Sequence, residues 1–537
     1  MTVLLPLLLA LIAVPVVLAG GRLRPALAAP LAVLATLLAT AALFYSWTLE
    51  TTEITLLWVP TLAMQLAFQL DALALLYGTI ATGIGFLIAL YSAAYLPHHL
   101  HEQNRPLADQ IPYYGWLMLF MAAMLGLVMA NDLILLFLFF DLTAICSYFL
   151  IAFDRHNPTA QSAALTALLV TGGTSIAFLI GALMLYSEYG TFFVPDLMQQ
   201  AQPGPLLTTA MALIAVAALA KSAQVPLHFW LPQAMAAPTP ISAYLHSAAM
   251  VAAGVFILHR LHPLLEATPT VRTALLGCAL LSIGTGGILA LAAKDLKEIL
   301  AYSTIAQYGY IGLLLALGGV QAAAAAAFYL VVHAASKSAL FMVAGTVVTV
   351  TGQRALPGLG GLAKRMPMLA VAGGIAAAAL AGLPLTVGFV KDELFFQLAE
   401  KQGAWLHYAA VVAAALTLTY TWRFWSGIFL GTRKSESTPA SAGLVMPVVA
   451  LAVLVLLGGI SAAPLLKLAN LAAQTLHQSE VNLAVGYHFD LKDVNLMMLA
   501  AYAGAVLLIL TQRLWHKAVL KWIAVRGLAR GASMKRC

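Results

Sequence analysis

What most limits the fold of this chain is the recurrence, from one end to the other, of apolar runs about 20 residues long. Twenty residues of α-helix rise about 30 Å, the thickness of a bilayer's hydrocarbon core. Only 9% of the residues are charged, against roughly 25% in a soluble domain. That leaves too little polar surface for a water-soluble body on a single anchor. The chain reads as an all-α polytopic membrane protein of about 15 spans. Their centres fall near residues 10, 36, 83, 121, 142, 174, 215, 250, 282, 308, 335, 377, 416, 453 and 503. The first run, "MTVLLPLLLALIAVPVVLAGGRLRP", has no basic segment ahead of its apolar part, so it is expected to be a span and not a signal peptide.

The few charges sort by loop. Arg22 and Arg24, Arg155, Lys294 and Lys297, Arg354 with Lys364 and Arg365, and Arg433 with Lys434 all follow odd-numbered spans, while the acidic loops "TLETTE" and "YSEYGTFFVPDL" follow even-numbered ones. Basic loops collect on the cytoplasmic side. The pattern predicts an outside N-terminus and a cytoplasmic C-terminus, in a bacterial inner membrane. The loop "HRLHPLLEATPTVR" departs from it, placing Arg260 and Arg272 outside. After the last span Arg513, Lys517 and Lys521 recur at i, i+4, i+8 beside Leu514, Ala518 and Trp522. That stretch is either a basic amphipathic helix on the cytoplasmic interface or an ordinary positive-inside tail.

Several function classes drop out. The net charge of +7 lies in short loops and forms no stripe, so no nucleic acid partner is expected. Cys146, Cys278 and Cys537 form no CxxC pair, which argues against iron–sulfur, zinc or haem attachment. "TGGT" and "GTGG" lie inside apolar runs, where they serve close helix packing better than phosphate binding. No cofactor and no metal are expected, and no nucleotide supplies the energy.

Ionisable side chains in mid-span cost a few kcal/mol each and mark ion or proton pathways. Asp141 is central in span 5, Lys221 lies in span 7 and His246 in span 8. Tyr329, His333 and Lys337 fall at i, i+4, i+8 on one face of span 11. Span 12 carries Pro384, then Lys391, Asp392 and Glu393. Asp71, at the start of span 3, is better placed to cap that helix than to move protons, and Asp132 is expected at the outer interface. Each has a plainer reading: Lys221 or Lys391 snorkelling, Asp141 as a fixed counter-ion, His246 as a packed core histidine. A metal on His333 and Lys337 has no carboxylate or cysteine nearby in sequence to support it.

Spans 7 and 12 share a plan. Each is apolar, interrupted by proline, and carries a lysine: "AALAKSAQVPLHFWLPQAMAAPTP" in one, "AALAGLPLTVGFVKDELFF" in the other. They stand five spans apart, so they cross in opposite directions. Paired broken helices in an inverted repeat point to a transport site near mid-membrane, and a break frees backbone groups and admits water beside an ammonium.

"KSAQVPLHFWLPQAMAAPTPISAYLHSAAM", "FQLDALALLY", "YSAAYL", "DLKEILAYSTIAQYGY", "HAASKSALFMVAG" and "GLGGLAKRMP" resemble, in order, the antiporter-like membrane subunits of respiratory complex I and of Mrp-type cation/proton antiporters. The likeness covers about residues 60–430. "HFWLPQAM", "SAYLHSA" and the late "YHFDLKDVNLMMLAAYAG" look more like the Mrp large A subunit. The resemblance implies roles. Asp141 stands at the family's carboxylate, where relatives carry glutamate after tryptophan and this chain has Phe140. Lys221 matches the modulated lysine, His246 the span-8 histidine, His333 and Lys337 the span-11 relay, and Lys391 the terminal lysine. Ala252 and Tyr329 replace a lysine and a histidine of many relatives. The short sequence after the last span implies a relative lacking the long lateral helix or C-terminal extension of larger members.

The expected organisation is N-terminal spans over 1–100, a first five-span repeat over 111–262, a second, inverted one over 271–431, and C-terminal helices with the tail over 442–537. The expected function is proton translocation through Asp141, Lys221, His246, His333, Lys337 and Lys391, with Tyr329 and Asp71 as auxiliaries, and with no catalytic site in the chain itself. Partners are other membrane subunits or a soluble one, protons, sodium in one alternative, and lipid. The alternatives are a sodium/proton antiporter component, a membrane component driving inorganic carbon uptake with a soluble zinc partner, and a pumping component of a quinone reductase or hydrogenase.

Overall fold

In the computed structural model, residues 2–49, 53–62, 64–483, 485, 492–512, 514, 515 and 520 are described. The basic tail around Arg513, Lys517 and Lys521, and most of "YHFDLKD", lie outside the described residues. Among the described residues 13 helices are long and apolar enough to cross a membrane, from Thr2–Leu23 to Asp493–Leu510. Each coincides with one of the expected centres. The two centres left over, near 215 and 377, correspond to the shorter apolar helices Pro205–Lys221 and Pro367–Leu380. These end early because the chain breaks there. Spans 8 and 10, Thr239–Arg260 and Leu296–Leu317, are buried throughout their apolar windows.

One element departs from an all-helical plan. Glu53–Val59 and Met64–Gln69 form an antiparallel hairpin, turning through Pro60. β-branched and aromatic residues with a proline turn favour strands over helix there. The hairpin docks on the loop between spans 4 and 5, where Asn131 N–H donates to the Ala67 carbonyl and Asn131 Nδ2 to Gln69 Oε1.

Local signals fix the helix ends, and they recur five spans apart. Asp132 caps span 5 by accepting from the Ile134 and Leu135 amides, and Asp295 caps span 10 by accepting from Lys297 and Glu298. An aspartate there satisfies amides that the helix itself leaves unpaired. Asp132 also bridges Phe193, as Asp295 bridges Ala355. Spans 6 and 11 are each 32 residues long, Pro158–Tyr189 and Val320–Thr351, and each stops at a left-handed glycine, Gly190 (φ 69°) and Gly352 (φ 67°). Both breaks carry a non-glycine residue in the left-handed region, Ala223 (φ 52°) and Leu385 (φ 66°). Such strain persists only where surrounding structure imposes it.

The loops also segregate by parity. After odd spans, Arg105 binds Asp154 at 3.0 Å and Arg354 binds Asp295 at 3.1 Å. After even spans, the hairpin, Asn131 and Phe193 meet, and the Gly319 amide donates to Glu266. The two arginines that break the loop-charge pattern are held inside. Arg260 pairs with Asp71, and Arg272 donates to the Ala316 and Leu317 carbonyls at the end of span 10.

Candidate functional site

The chemistry gathers where helices are interrupted. Span 7 ends at Lys221 as the last residue of its half-helix. The C-terminal end of a helix carries partial negative charge, which favours an ammonium. Lys221 is fully buried. Its Nζ donates to the Phe140 carbonyl at 2.8 Å and lies 4.3 Å from the Phe140 ring centre. Asp141, the next residue, turns the other way and accepts from Ser175 Oγ at 2.8 Å. Asp141 and Lys221 therefore share a neighbourhood without a direct ion pair. The interruption is held by two contacts from outside span 7 and one within it. Gln224 donates to the Ile305 carbonyl, the Val225 amide donates to Ser282 Oγ, and Trp230 Nε1 donates to the Ala220 carbonyl at 2.9 Å.

Trp230 then leads to His246, with ring centres 6.1 Å apart. Span 8 is itself interrupted one residue past His246. Its first half is Thr239–Ser247 and its second Met250–Arg260. No proline or glycine marks this break, so sequence reasoning missed it. It also missed the π-helical turn Ile80–Ile84 of span 3, whose Ala81 carbonyl accepts from Tyr244 Oη at 2.8 Å. Turns of this kind concentrate at functional sites.

Spans 8 and 11 meet beside the candidate residues. Ser247 Oγ and Ser338 Oγ are 2.6 Å apart, and each directly follows an ionisable residue, His246 and Lys337. Tyr308 also joins the two spans: its hydroxyl donates to the Ser247 carbonyl and its ring lies 5.0 Å from that of His333. Lys337 is fully buried and donates to the Leu300 carbonyl at 2.8 Å and to Ser303 Oγ. Neither nitrogen of His246 has a hydrogen-bond partner among the described residues. Buried imidazole nitrogens without partners are exceptional.

The line continues to span 12. Tyr329 Oη donates to Gln307 Oε1 at 3.0 Å, and Gln307 Nε2 donates to Tyr420 at 3.1 Å. Lys391 Nζ lies 4.5 Å from the Tyr329 ring centre. Lys391 belongs to the second half-helix, Val387–Glu400, and its Nζ reaches back to the Leu380 carbonyl at 3.3 Å. Leu380 closes the first half-helix, so the ammonium again meets a C-terminal helix end. Asp392 pairs with Lys391 at 2.6 Å, and at 1% exposure the lysine is not snorkelling to a surface. Gly382, at φ 72°, has no side chain for a reason: a Cβ there would collide with the Asp392 carboxylate.

Asp71 caps span 3 as expected, accepting from the Ala74 amide at 2.8 Å, and pairs with Arg260, apart from this line. Two other residues differ from their expected places. Asp132 is a buried helix cap. Lys297, counted in the sequence as a loop charge, is only 6% exposed. Its Nζ donates to the Ala237 carbonyl at 2.5 Å and to Ser242 Oγ at 3.3 Å, one turn before His246. It borders a cavity of about 350 Å³ that also touches His99, Asp154, Asp295 and Arg354. Its position in "DLKEIL" resembled a helix start, and only tertiary contacts bury it. Among the described residues, His262, Glu266 and His477 bring three potential ligand atoms within 4.8 Å of one another, outside this line. Sequence separation hid that group.

Known proteins align with this arrangement. Residues 130–417 match the model described as NADH:quinone oxidoreductase/Mrp antiporter, TM, and residues 57–105 match the N-terminus of chain 5 of NADH-ubiquinone oxidoreductase (complex I). The probable K(+)/H(+) antiporter A/B component of Rhizobium meliloti is 39% identical over 384 residues, 70% of this chain and 38% of that protein. The A component of the Na(+)/H(+) antiporter of Alkalihalophilus pseudofirmus is 38% identical over 361 residues, 64% of this chain and 44% of that protein. A Mrp complex structure from Dietzia sp. contains a chain 31% identical, with a TM-score of 0.87, over 100% of this chain and 60% of that one. An archaeal membrane-bound sulfane sulfur reductase shares the fold, with a TM-score of 0.80 at 24% identity. The chain thus spans less than two thirds of the curated relatives it matches first. It is an integral membrane protein, and it belongs to the family of membrane subunits that NADH:quinone oxidoreductases and Mrp antiporters share.

Proposed function

We propose that the chain moves protons across the membrane as the antiporter-like subunit of a larger complex, in the manner its Mrp relatives' names describe. The relay runs Asp141, Lys221, His246, His333, Lys337, Lys391. The observation that carries this reading is the 2.6 Å contact between Ser247 and Ser338. It sets the neighbours of His246 and Lys337 side by side, which supports reading the buried groups of the two halves as one line. A buried ammonium loses protons more readily, and an approaching carboxylate reverses that. Movement of Asp141 towards or away from Lys221 makes the lysine hold or release its proton to the imidazoles beyond.

The halves are read as inverted repeats, spans 4–8 and 9–13 within 111–262 and 271–431. The matching caps, bridges, 32-residue helices, left-handed glycines and breaks support this, each pair standing five spans apart. An odd offset reverses direction, as inverted repeats require. The odd loops are assigned to the cytoplasm, with an outside N-terminus. Internal contacts hold Arg260 and Arg272, which weakens the exception their loop makes to the positive-inside pattern. From that face the Lys297 cavity offers protons a way towards His246.

The test is proton flux in membrane vesicles holding the assembled complex. Asp141→Asn and Lys221→Ala are expected to lower coupled flux at least about tenfold, a barrier change of roughly 1.4 kcal/mol, with assembly intact on native gels. Asp141→Glu, whose longer side chain reaches further towards Lys221, keeps or raises it. Wild-type flux in Lys221→Ala overturns the reading.

A further inference from the structure

The loop that broke the charge pattern holds a second constellation. His262 and Glu266 stand one turn apart on the helix His262–Glu266. His477 is the last residue of the helix Ala463–His477. His262 Nδ1 lies 2.9 Å from His477 Nε2 and 3.8 Å from Glu266 Oε1, and His477 Nδ1 lies 3.5 Å from Glu266 Oε2. The His262 side chain is fully buried, His477 is 8% exposed and Glu266 28%.

The proton positions follow from the partners. His262 Nε2 lies 3.0 Å from the Leu315 carbonyl, which can only accept, so Nε2 carries the hydrogen. In a neutral ring Nδ1 then offers a lone pair, which accepts from His477 Nε2. That leaves a lone pair on His477 Nδ1 facing the Glu266 carboxylate. With His477 neutral, two acceptors oppose each other in either tautomer, at His262 Nδ1 or at Glu266, and a proton or a metal cation satisfies both. A tetrahedral ion with bonds of about 2.1 Å holds its ligand atoms roughly 3.4 Å apart. The distances of 2.9 and 3.8 Å around His262 Nδ1 bracket that value, and the three ligand atoms lie within 4.8 Å of one another.

We propose that His262, Glu266 and His477 bind a divalent transition metal ion of the zinc class, through His262 Nδ1, one His477 nitrogen and the Glu266 carboxylate. Imidazole with one carboxylate suits such ions, whereas calcium and magnesium take oxygen sets. The outer groups are in place. The Leu315 carbonyl orients His262, and the Gly319 amide donates to Glu266, as metal-binding imidazoles and carboxylates require. A cavity of about 450 Å³, bordered by Gln69, Asn131, Glu266 and His477, leaves room for a water as fourth ligand. Ala463–His477 packs against spans 3 and 11. An ion here fastens that helix to the end of span 8 and, through Glu266, to the start of span 11.

The test uses the purified full chain, stripped of metal with a chelator. Co²⁺ should bind with one equivalent giving the visible absorption of a tetrahedral site, and Zn²⁺ should displace it. His477→Ala and Glu266→Gln should each weaken zinc binding about 100-fold or more. Glu266→Gln, nearly isosteric, keeps the result readable if the alanine variant unfolds. His98→Ala with His101→Ala, on the opposite face, should leave binding unchanged. Failure of the wild-type chain to bind zinc, or binding unaltered in both ligand variants, overturns the proposal. Loss of proton flux in Lys221→Ala bears only on the relay, so the two readings fail separately.

Discussion

Ser247 Oγ and Ser338 Oγ are hydrogen-bonded at 2.6 Å, one directly after His246 and the other directly after Lys337. The contact needs small side chains on both helices, because spans 8 and 11 touch there. Ser247 has a second acceptor in the Ala243 carbonyl. Ser338→Ala should therefore lower flux only a few-fold, in line with one buried hydrogen bond of about 1 kcal/mol. Ser338→Leu should drive the helices apart and lose far more. Vesicle flux of the two variants side by side is the measurement, and equal losses would refute this use of the contact.

Tyr329 and His333 share a face of span 11, and the proposed relay gives them different work. Tyr329→Phe removes the hydroxyl that donates to Gln307 and leaves the ring beneath the Lys391 ammonium. Flux should slow several-fold and persist. His333→Ala removes an imidazole of the proposed relay and should come close to stopping it. A tyrosine variant more damaging than the histidine variant would reverse these assignments.

Gly382 and Gly190 separate backbone strain from contact. Both are left-handed, at φ 72° and 69°, but a Cβ meets the Asp392 carboxylate at Gly382 and open space at Gly190. Alanine at either position costs roughly 1–2 kcal/mol of strain. Thermal midpoints should fall for both variants. Only Gly382→Ala should also lose flux, because it displaces the partner of Lys391.

Asp154 ties the ends of spans 3 and 5 through Arg105 at 3.0 Å and His99 at 3.2 Å. Burial raises its carboxyl, but the His99 hydrogen bond and charge, Gln103 and Arg105 outweigh burial and hold it below the usual value. A carboxyl lowered on folding adds stability above its unfolded value near 3.9 and loses it as pH falls through the folded value. Asp154→Asn should therefore destabilise the chain at pH 7 by about 2 kcal/mol. The difference from wild type should shrink below roughly pH 4. Melting curves across that window decide it.

The apolar runs alone determined the helices. Every long apolar helix sits at an expected centre, because a bilayer leaves a backbone of this composition few other solutions. The breaks in spans 7 and 12 were legible too, since Pro226 and Pro384 announce them, and so were the buried cations, since a charge stands out in an apolar run. What the sequence left undecided depends on partners far away along the chain. The span-8 break after His246 carries no local breaker, and the hairpin 53–69 is stabilised by docking on Asn131. Lys297 becomes a buried group only because Ala237 and Ser242 fold over it. Asp141 and Lys221 stand out in the sequence as buried charges, but nothing local names their hydrogen-bond partners. Packing gives Asp141 to Ser175 and Lys221 to the Phe140 carbonyl. His262 and His477 are 215 residues apart in sequence, and no periodicity within a helix can place two side chains that meet only when separate helices close on each other.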